Sequence, residues 1–402
     1  MSDIYESLGI QPIVNAYAPM TRFGGGIMAP EVVEAMGRAT QHCVDIPELQ
    51  ASASRIIAEV TGAEAGCITS GAAAAVLVGT AACVTGMDPA KMNRLPDTRD
   101  MRNQVIVMRS QRNSYDHALR AVGVRLIEVG LSDRLTGTGV RDAEPWEVKD
   151  AITDQTAAIF YVAKPHSQPR LSEVAAVAHE AGLPVLVDAA AELPPMENLR
   201  RFIAEGADLV AFSGGKAING PQGSGILCGR RDLVGAALLQ QLDLDYALDE
   251  WEPPRELIDK RNLPGLPRHG IARSCKVGKE QIVGALTALR LFAKEGARGR
   301  YDRLRKIAEA IVKSLAGLPW LSAAIIPDPE QTGMPVVEVK LDQKGAKMTG
   351  VELLRRLRAG SPRVEVNPWR PEEGLVILSP ACLRAGDPAI IGRRLGEILK
   401  PA

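Results

Sequence analysis

Short runs of β-branched and aliphatic residues at 105–108, 125–129, 157–162, 184–187, 208–212 and 225–228 alternate with stretches of helical periodicity. This alternation predicts a mainly parallel sheet covered by helices, because a parallel pair needs a crossover long enough to hold a helix. Helices are predicted at 171–181 and 198–205, each ending at a glycine, Gly182 and Gly206, as helix C-termini favour. The alanine-rich apolar run 71–84 predicts a buried helix, since it falls short of the roughly 20 residues that cross a bilayer. Near residue 278 the pattern changes to a long helical stretch through 315, interrupted around Gly296 and Gly299. Strands at 336–341 and 375–378 and helices at 351–357 and 390–399 follow. The division read from this is a large domain at 46–290, a small α+β domain at 291–402, and an N-terminal segment, 1–45, packing on the small domain. The longest irregular polar segment, 87–103, reads as a lid, an interface element or an insertion.

Composition narrows the picture. A chain of 402 residues is too long for one ordinary core, and 46% hydrophobic residues are enough to bury two. Lys+Arg and Asp+Glu both number 48, and no long block of one sign tracks a phosphate backbone, so a nucleic-acid partner is not expected. The opening Met-Ser-Asp-Ile-Tyr-Glu has no basic segment leading into an apolar run. A cytoplasmic protein without a membrane partner is expected. The six cysteines form no C-x-x-C pair, so they read as plain buried thiols and no metal site is expected.

The strongest chemical signal is Ser213-Gly214-Gly215-Lys216, directly after the buried-strand pattern 207–212. Alone, a Gly-Gly-Lys is usually a solvated turn. A lysine just past the carboxyl end of a parallel strand, however, lies on the edge where such sheets bind ligands. The run Pro184-Val185-Leu186-Val187-Asp188 ends a second strand in a carboxylate 28 positions earlier (216 − 188), enough for one helix and one strand. Thr69-Ser70-Gly71-Ala72 opens the apolar helix, where backbone N–H groups and the helix dipole make a phosphate cup and Ser70 offers a hydroxyl. Read singly, Asp188 and Ser70 are ordinary helix caps. Together, phosphate cup, carboxylate and lysine match the needs of pyridoxal 5'-phosphate: an amine for its aldehyde, an anion at its ring nitrogen and donors for its phosphate. Ser213 is a further candidate for the phosphate.

These segments, with Ile13-Val14-Asn15-Ala16, Glu128-Val129-Gly130, Gly220-Pro221-Gln222 and Lys276-Val277-Gly278-Lys279-Glu280, resemble fold-type I pyridoxal-phosphate enzymes. The likeness is specifically to the branch that includes bacterial selenocysteine synthase and D-glucosaminate-6-phosphate ammonia-lyase. The resemblance implies an α/β, aspartate-aminotransferase-like fold with Lys216 as the Schiff-base lysine and Asp188 at the ring nitrogen. It also implies a ring-stacking residue within 112–117, for which His117 is preferred over Tyr115, and at least a homodimer. Where the branch usually carries an aspartate before the lysine, this chain has Gly215. The shared pattern starts at Gly9, without the tRNA-binding N-terminal domain of the selenium transferase, which favours a small-molecule substrate. Ser167, in the loop after the strand 157–162, and Arg273 and Arg370 are candidates for substrate contacts, the arginines by bidentate grip of a carboxylate or phosphate. Each is otherwise an ordinary polar surface residue.

The expected activity is α,β-elimination from a small β-hydroxy amino acid or amino sugar acid, giving a 2-oxo acid and ammonia. An aminotransferase, racemase or selenium or sulfur transferase would use the same residues. A cofactor-binding relative with a regulatory role and no turnover is the alternative from another class.

Overall fold

The computed structural model describes residues 4–131, 142–330 and 332–400. Its strands, in chain order, are β1 (Ile13–Ala16), β2 (Ala65–Thr69), β3 (Gln104–Met108), β4 (Arg125–Val129), β5 (Thr156–Val162), β6 (Val185–Asp188), β7 (Leu209–Ser213), β8 (Gly225–Gly229), β9 (Leu321–Pro327), β10 (Pro335–Leu341), β11 (Arg363–Arg370) and β12 (Leu375–Leu378). The chain forms two compact units. One is Met28–Ala293, the other Met1–Ile27 with Lys294–Ala402.

Among the described residues, the larger unit holds a 7-stranded sheet in the order β2-β8-β7-β6-β5-β3-β4, parallel except for β8. Its central strands are apolar throughout because both faces are covered. Ile106, Ile159, Val185 and Val187 point into one core, Val105, Val107, Phe160 and Leu186 into the other, as the two-residue period of a strand requires. The apolar run forms the helix Ala72–Thr85, whose Ala75, Val78 and Ala82 are buried in the second core. The predicted crossover helices are present as Leu171–Glu180 and Asn198–Ala204. The polar segment 87–103 includes a short helix, Pro89–Arg94, capped by the Asp88 carboxylate.

The smaller unit has a 5-stranded sheet, β1-β11-β12-β10-β9, with β1 parallel to β11 and the other pairs antiparallel. The helices Gly350–Ala359 and Asp387–Ile398 bury Leu353, Leu357, Ile391 and Leu395 in the same core as Val14, Val337 and Val364. The N-terminal segment divides: residues through Ile27 cluster with this unit, whereas the helix Pro30–Ala39 buries Val32 in the larger unit's core. The long helix Lys279–Leu315 leaves helical geometry at Gly296, where φ is +67°.

Among the described residues, no helix is long and apolar enough to cross a membrane. Of the cysteines, Cys67, Cys228 and Cys382 are buried, and burial pushes their thiols up to about 12. Cys43 departs from the buried-thiol reading. It is exposed, in the loop between Pro30–Ala39 and Ile46–Thr61.

Candidate active site

The carboxyl edge of the larger sheet gathers the chemistry. Asp188 closes β6, paired with Val162 of β5 on one side and Ala211 of β7 on the other. Two residues further along, Ser213 ends β7 opposite Gly225 of β8, and Gly225 in turn faces Thr69 of β2. Strand ends therefore bring Asp188, the Lys216 turn and the Ser70 loop, distant in sequence, onto one edge.

Asp188 is 9% exposed, and its Oδ1 accepts the N–H of Ala190 at 3.0 Å. Burial raises the pKa of its carboxyl, while the Ala190 N–H and the Lys216 and Lys164 cations favour the anion. Lys216 is half-buried, three positions beyond Ser213. Burial lowers the pKa of its ammonium, toward the neutral amine that attacks carbonyls, and Asp188 opposes this shift. Lys164 adds to the lowering and Glu192 opposes it.

The turn before Lys216 is packed without spare room. The N–H of Gly214 donates to the carbonyl of Ser224 (2.9 Å), and that of Gly220 to the carbonyl of Gly214 (2.8 Å). A Cβ on Gly214 would stand 2.2 Å from Ser224 Oγ, and one on Gly215 2.5 Å from Gln222 Cα. In this turn a side chain at position 215, where the resemblance leads one to expect an aspartate, would press on Gln222. Gly215→Asp is expected to lower both cofactor occupancy and thermal stability, by the roughly 1–3 kcal/mol typical of overpacking. Absorbance of bound cofactor per subunit, read beside a thermal melt, checks this; wild-type values for both would show that the turn relaxes freely.

At the third element, Gly71 has φ of +90° and no side chain caps the helix Ala72–Thr85. Its first N–H groups therefore have neither an intrahelical partner nor a side-chain cap, which suits an anion. Gly225 lies against this backbone, where a Cβ would be 2.3 Å from the carbonyl carbon of Gly71. The Ser70 hydroxyl, expected as an open phosphate donor, donates to the Cys275 carbonyl at 2.9 Å and ties the cup to the 3₁₀ turn Ile271–Cys275.

The remaining candidates lie as follows. His117 is exposed on the short helix Asp116–Arg120, with Nδ1 3.3 Å from an Arg120 guanidinium nitrogen, and Tyr115 is exposed as well. Ser167 Oγ donates to the carbonyl of Val162, at the end of β5 (2.8 Å). Arg273 is ion-paired with Asp243, and Arg370 belongs to the smaller unit, 3.8 Å from Glu373 and stacked beside Trp369. Among the described residues, no hydrogen bond or ion pair joins His117, Tyr115, Ser167 or Arg273 to Lys216. Asp243, Asp245 and His269 hold possible ligand atoms within 4.8 Å of one another, but both aspartates are exposed, as acidic groups commonly are without an ion.

Two charged residues of this edge escaped the sequence reading, Lys164 and Glu192, ion-paired at 2.9 Å. Their only signal in the sequence is position, each standing a few residues past a buried strand. Taken together, an uncapped helix N-terminus, a buried carboxylate and a half-buried amine on one edge fit the phosphate, ring nitrogen and aldehyde of pyridoxal phosphate.

Comparison with known proteins agrees. The family model described as "SelA: L-seryl-tRNA selenium transferase" matches residues 21–250. A 5'-C-glycyluridine monooxygenase-decarboxylase from Streptomyces sp. is 33% identical over 98% of this chain and 92% of its own length. A D-glucosaminate-6-phosphate ammonia lyase from Salmonella typhimurium is 30% identical over 100% of this chain and 99% of its own. A solved structure of a D-glucosaminate-6-phosphate ammonia-lyase, 30% identical, superposes with a TM-score of 0.82 over 99% of both chains. With this sheet, this edge and these relatives, the chain belongs to the SelA family and has the type I fold of pyridoxal-phosphate-dependent enzymes.

Proposed function

We propose that the protein is a lyase that eliminates a β-hydroxyl group from a small amino acid, with amino sugar acids as the substrate class, and releases a 2-oxo acid and ammonia. The observation that carries this reading is the full-length likeness to an ammonia-lyase in sequence and in fold. Pyridoxal phosphate, when bound, supplies an aldehyde that captures the substrate amine and a ring that accepts electron density from Cα. In this reading the cup of Ser70, Gly71 and Ala72, with Ser213, holds its phosphate, and the Asp188 carboxylate keeps a proton on its ring nitrogen. His117 would stack on its ring.

Lys216 would hold the aldehyde of the bound cofactor, and its amine, once freed, would remove the α-proton. The electron pair left by that proton forms the Cα–Cβ double bond as the Cβ–O bond breaks, and the hydroxyl leaves with a proton as water. Hydrolysis of the resulting enamine nitrogen returns one water, so the balance is one amino acid to one 2-oxo acid and one ammonia. Ser167, Arg273 and Arg370 are assigned to substrate binding, the arginines to anionic groups. The same reading takes the chain to be a cytoplasmic homodimer or larger homo-oligomer that acts on a small molecule, with neither nucleic acid nor membrane as partner.

A panel of D- and L-β-hydroxy amino acids and amino sugar acids tests the reaction. Ammonia and a 2-oxo acid are expected from one substrate, with no keto-acid co-substrate and no oxygen uptake. Conversion of the cofactor to pyridoxamine phosphate, with turnover only after a keto acid is added, would make it an aminotransferase. The Streptomyces relative supplies a second reading, because its name denotes a monooxygenase and decarboxylase. Oxygen uptake matched by carbon dioxide release would select that one.

A further inference from the structure

The carboxyl edge carries a second pair of opposite charges beside Asp188 and Lys216. Lys164 stands two positions past β5, and its Nζ is 2.9 Å from Oε1 of Glu192, four positions past Asp188. The backbone fixes both ends of the pair. The N–H of Ala163 donates to the Asp188 carbonyl (2.9 Å), the N–H of Glu192 to the Ala189 carbonyl (3.1 Å), and Asn198 Nδ2 to the Glu192 carbonyl (2.6 Å). Glu192 is only 8% exposed, whereas the Lys164 side chain is 56% exposed. A carboxylate buried to that degree is costly unless paired, and Lys164 supplies the pairing charge.

We propose that Lys164 and Glu192 form a charge-compensating second pair of the site. Glu192 is a positioning residue that fixes the Lys164 ammonium beside Asp188 and Lys216 and so sets how readily Lys216 takes up and returns a proton. The inference rests on Lys216 being the cofactor lysine and is independent of which reaction follows.

Its logic is one of signs. The groups whose charges act on Lys216 are Asp188 at the end of β6, Lys164 past β5 and Glu192 in the turn after Asp188. Intact, the second pair is neutral and its two influences on Lys216 oppose each other. With Glu192 neutralised, an unpaired cation is left near Lys216 and disfavours its protonated form. With Lys164 neutralised, the cation is gone and the carboxylate favours the protonated form.

The experiment is a pH titration of the visible band of the holoenzyme in Glu192→Gln, Lys164→Met and the double variant. Glu192→Gln keeps the shape of the buried side chain while removing its charge. The band is expected to titrate at lower pH in Glu192→Gln and at higher pH in Lys164→Met, each by on the order of half a pH unit or more. The double variant is expected to return toward wild type, which a merely structural disturbance would not produce. Shifts of the same sign, no shift in either single variant, or a double variant displaced further than both would overturn the proposal. A parallel arm follows the pH dependence of Lys216 acylation in the cofactor-free protein by peptide mass spectrometry, with the same signs expected. If no band is linked to Lys216 at all, the cofactor-lysine reading fails, and the acylation arm still decides this one.

Discussion

Lys216→Ala is expected to remove turnover altogether and, with it, the visible absorbance band of bound cofactor that borohydride discharges. Two losses combine here: the amine that holds the aldehyde, and the base that takes the α-proton. Loss of a positioned acid–base group alone typically costs about 10²–10⁴-fold in rate. The fold should survive, because Lys216 projects from a turn whose backbone is held by Gly214, Gly220 and Ser224 and not by the lysine side chain. Asp188, left without the Lys216 cation, still has Lys164 and the Ala190 N–H to favour its charge. An activity assay, borohydride difference spectra and a thermal melt on the same preparation check the turnover, the band and the fold. A variant that keeps the borohydride-sensitive band at full occupancy would remove Lys216 from the role.

Asp188→Asn is the second large effect. The amide is nearly the same size and can still accept the Ala190 N–H through its oxygen, so folding and cofactor binding are expected to persist. What is lost is the charge that keeps a proton on the ring nitrogen, and with it most of the stabilisation of negative charge developing at Cα. Removing one preorganised electrostatic contact of this kind costs on the order of 10²–10³-fold. The check is the rate of α-proton exchange with deuterated solvent, measured at saturating cofactor. Wild-type exchange in the Asn variant would leave Asp188 as a structural end to β6.

That Asp188 and the Lys216 turn share one sheet edge was legible in the sequence because each follows a run of buried-strand residues, although either charge read alone is an ordinary cap or turn residue. The parallel sheet was legible for the same reason, since 105–108, 157–162 and 184–187 are apolar without alternation. β2 was not: Ala65–Thr69 opens on Ala65 and Gly66, residues of weak strand preference, and a Cβ on Gly66 would lie 2.4 Å from the Ile57 side chain. β11 was hidden by Pro368, which sits where the pairing with β12 shifts register between Asn367 and Arg370. β9 was hidden by its mild pattern, with alternate residues half-exposed. The use of the Ser70 hydroxyl depends on a contact with Cys275, 205 positions away, which no local pattern encodes. Lys164 and Glu192 are ordinary loop charges until the pairing of Val162 with Asp188 brings them together.

The most direct measurement of the central claim is borohydride reduction of the purified holoprotein, followed by proteolysis and mass spectrometry of the peptides. One pyridoxyl-phosphate adduct per chain is expected, on the peptide that carries Ser213-Gly214-Gly215-Lys216, with fragment ions placing it on Lys216. An adduct on Lys164 or any other lysine, or no adduct from a protein saturated with pyridoxal phosphate, would contradict the account.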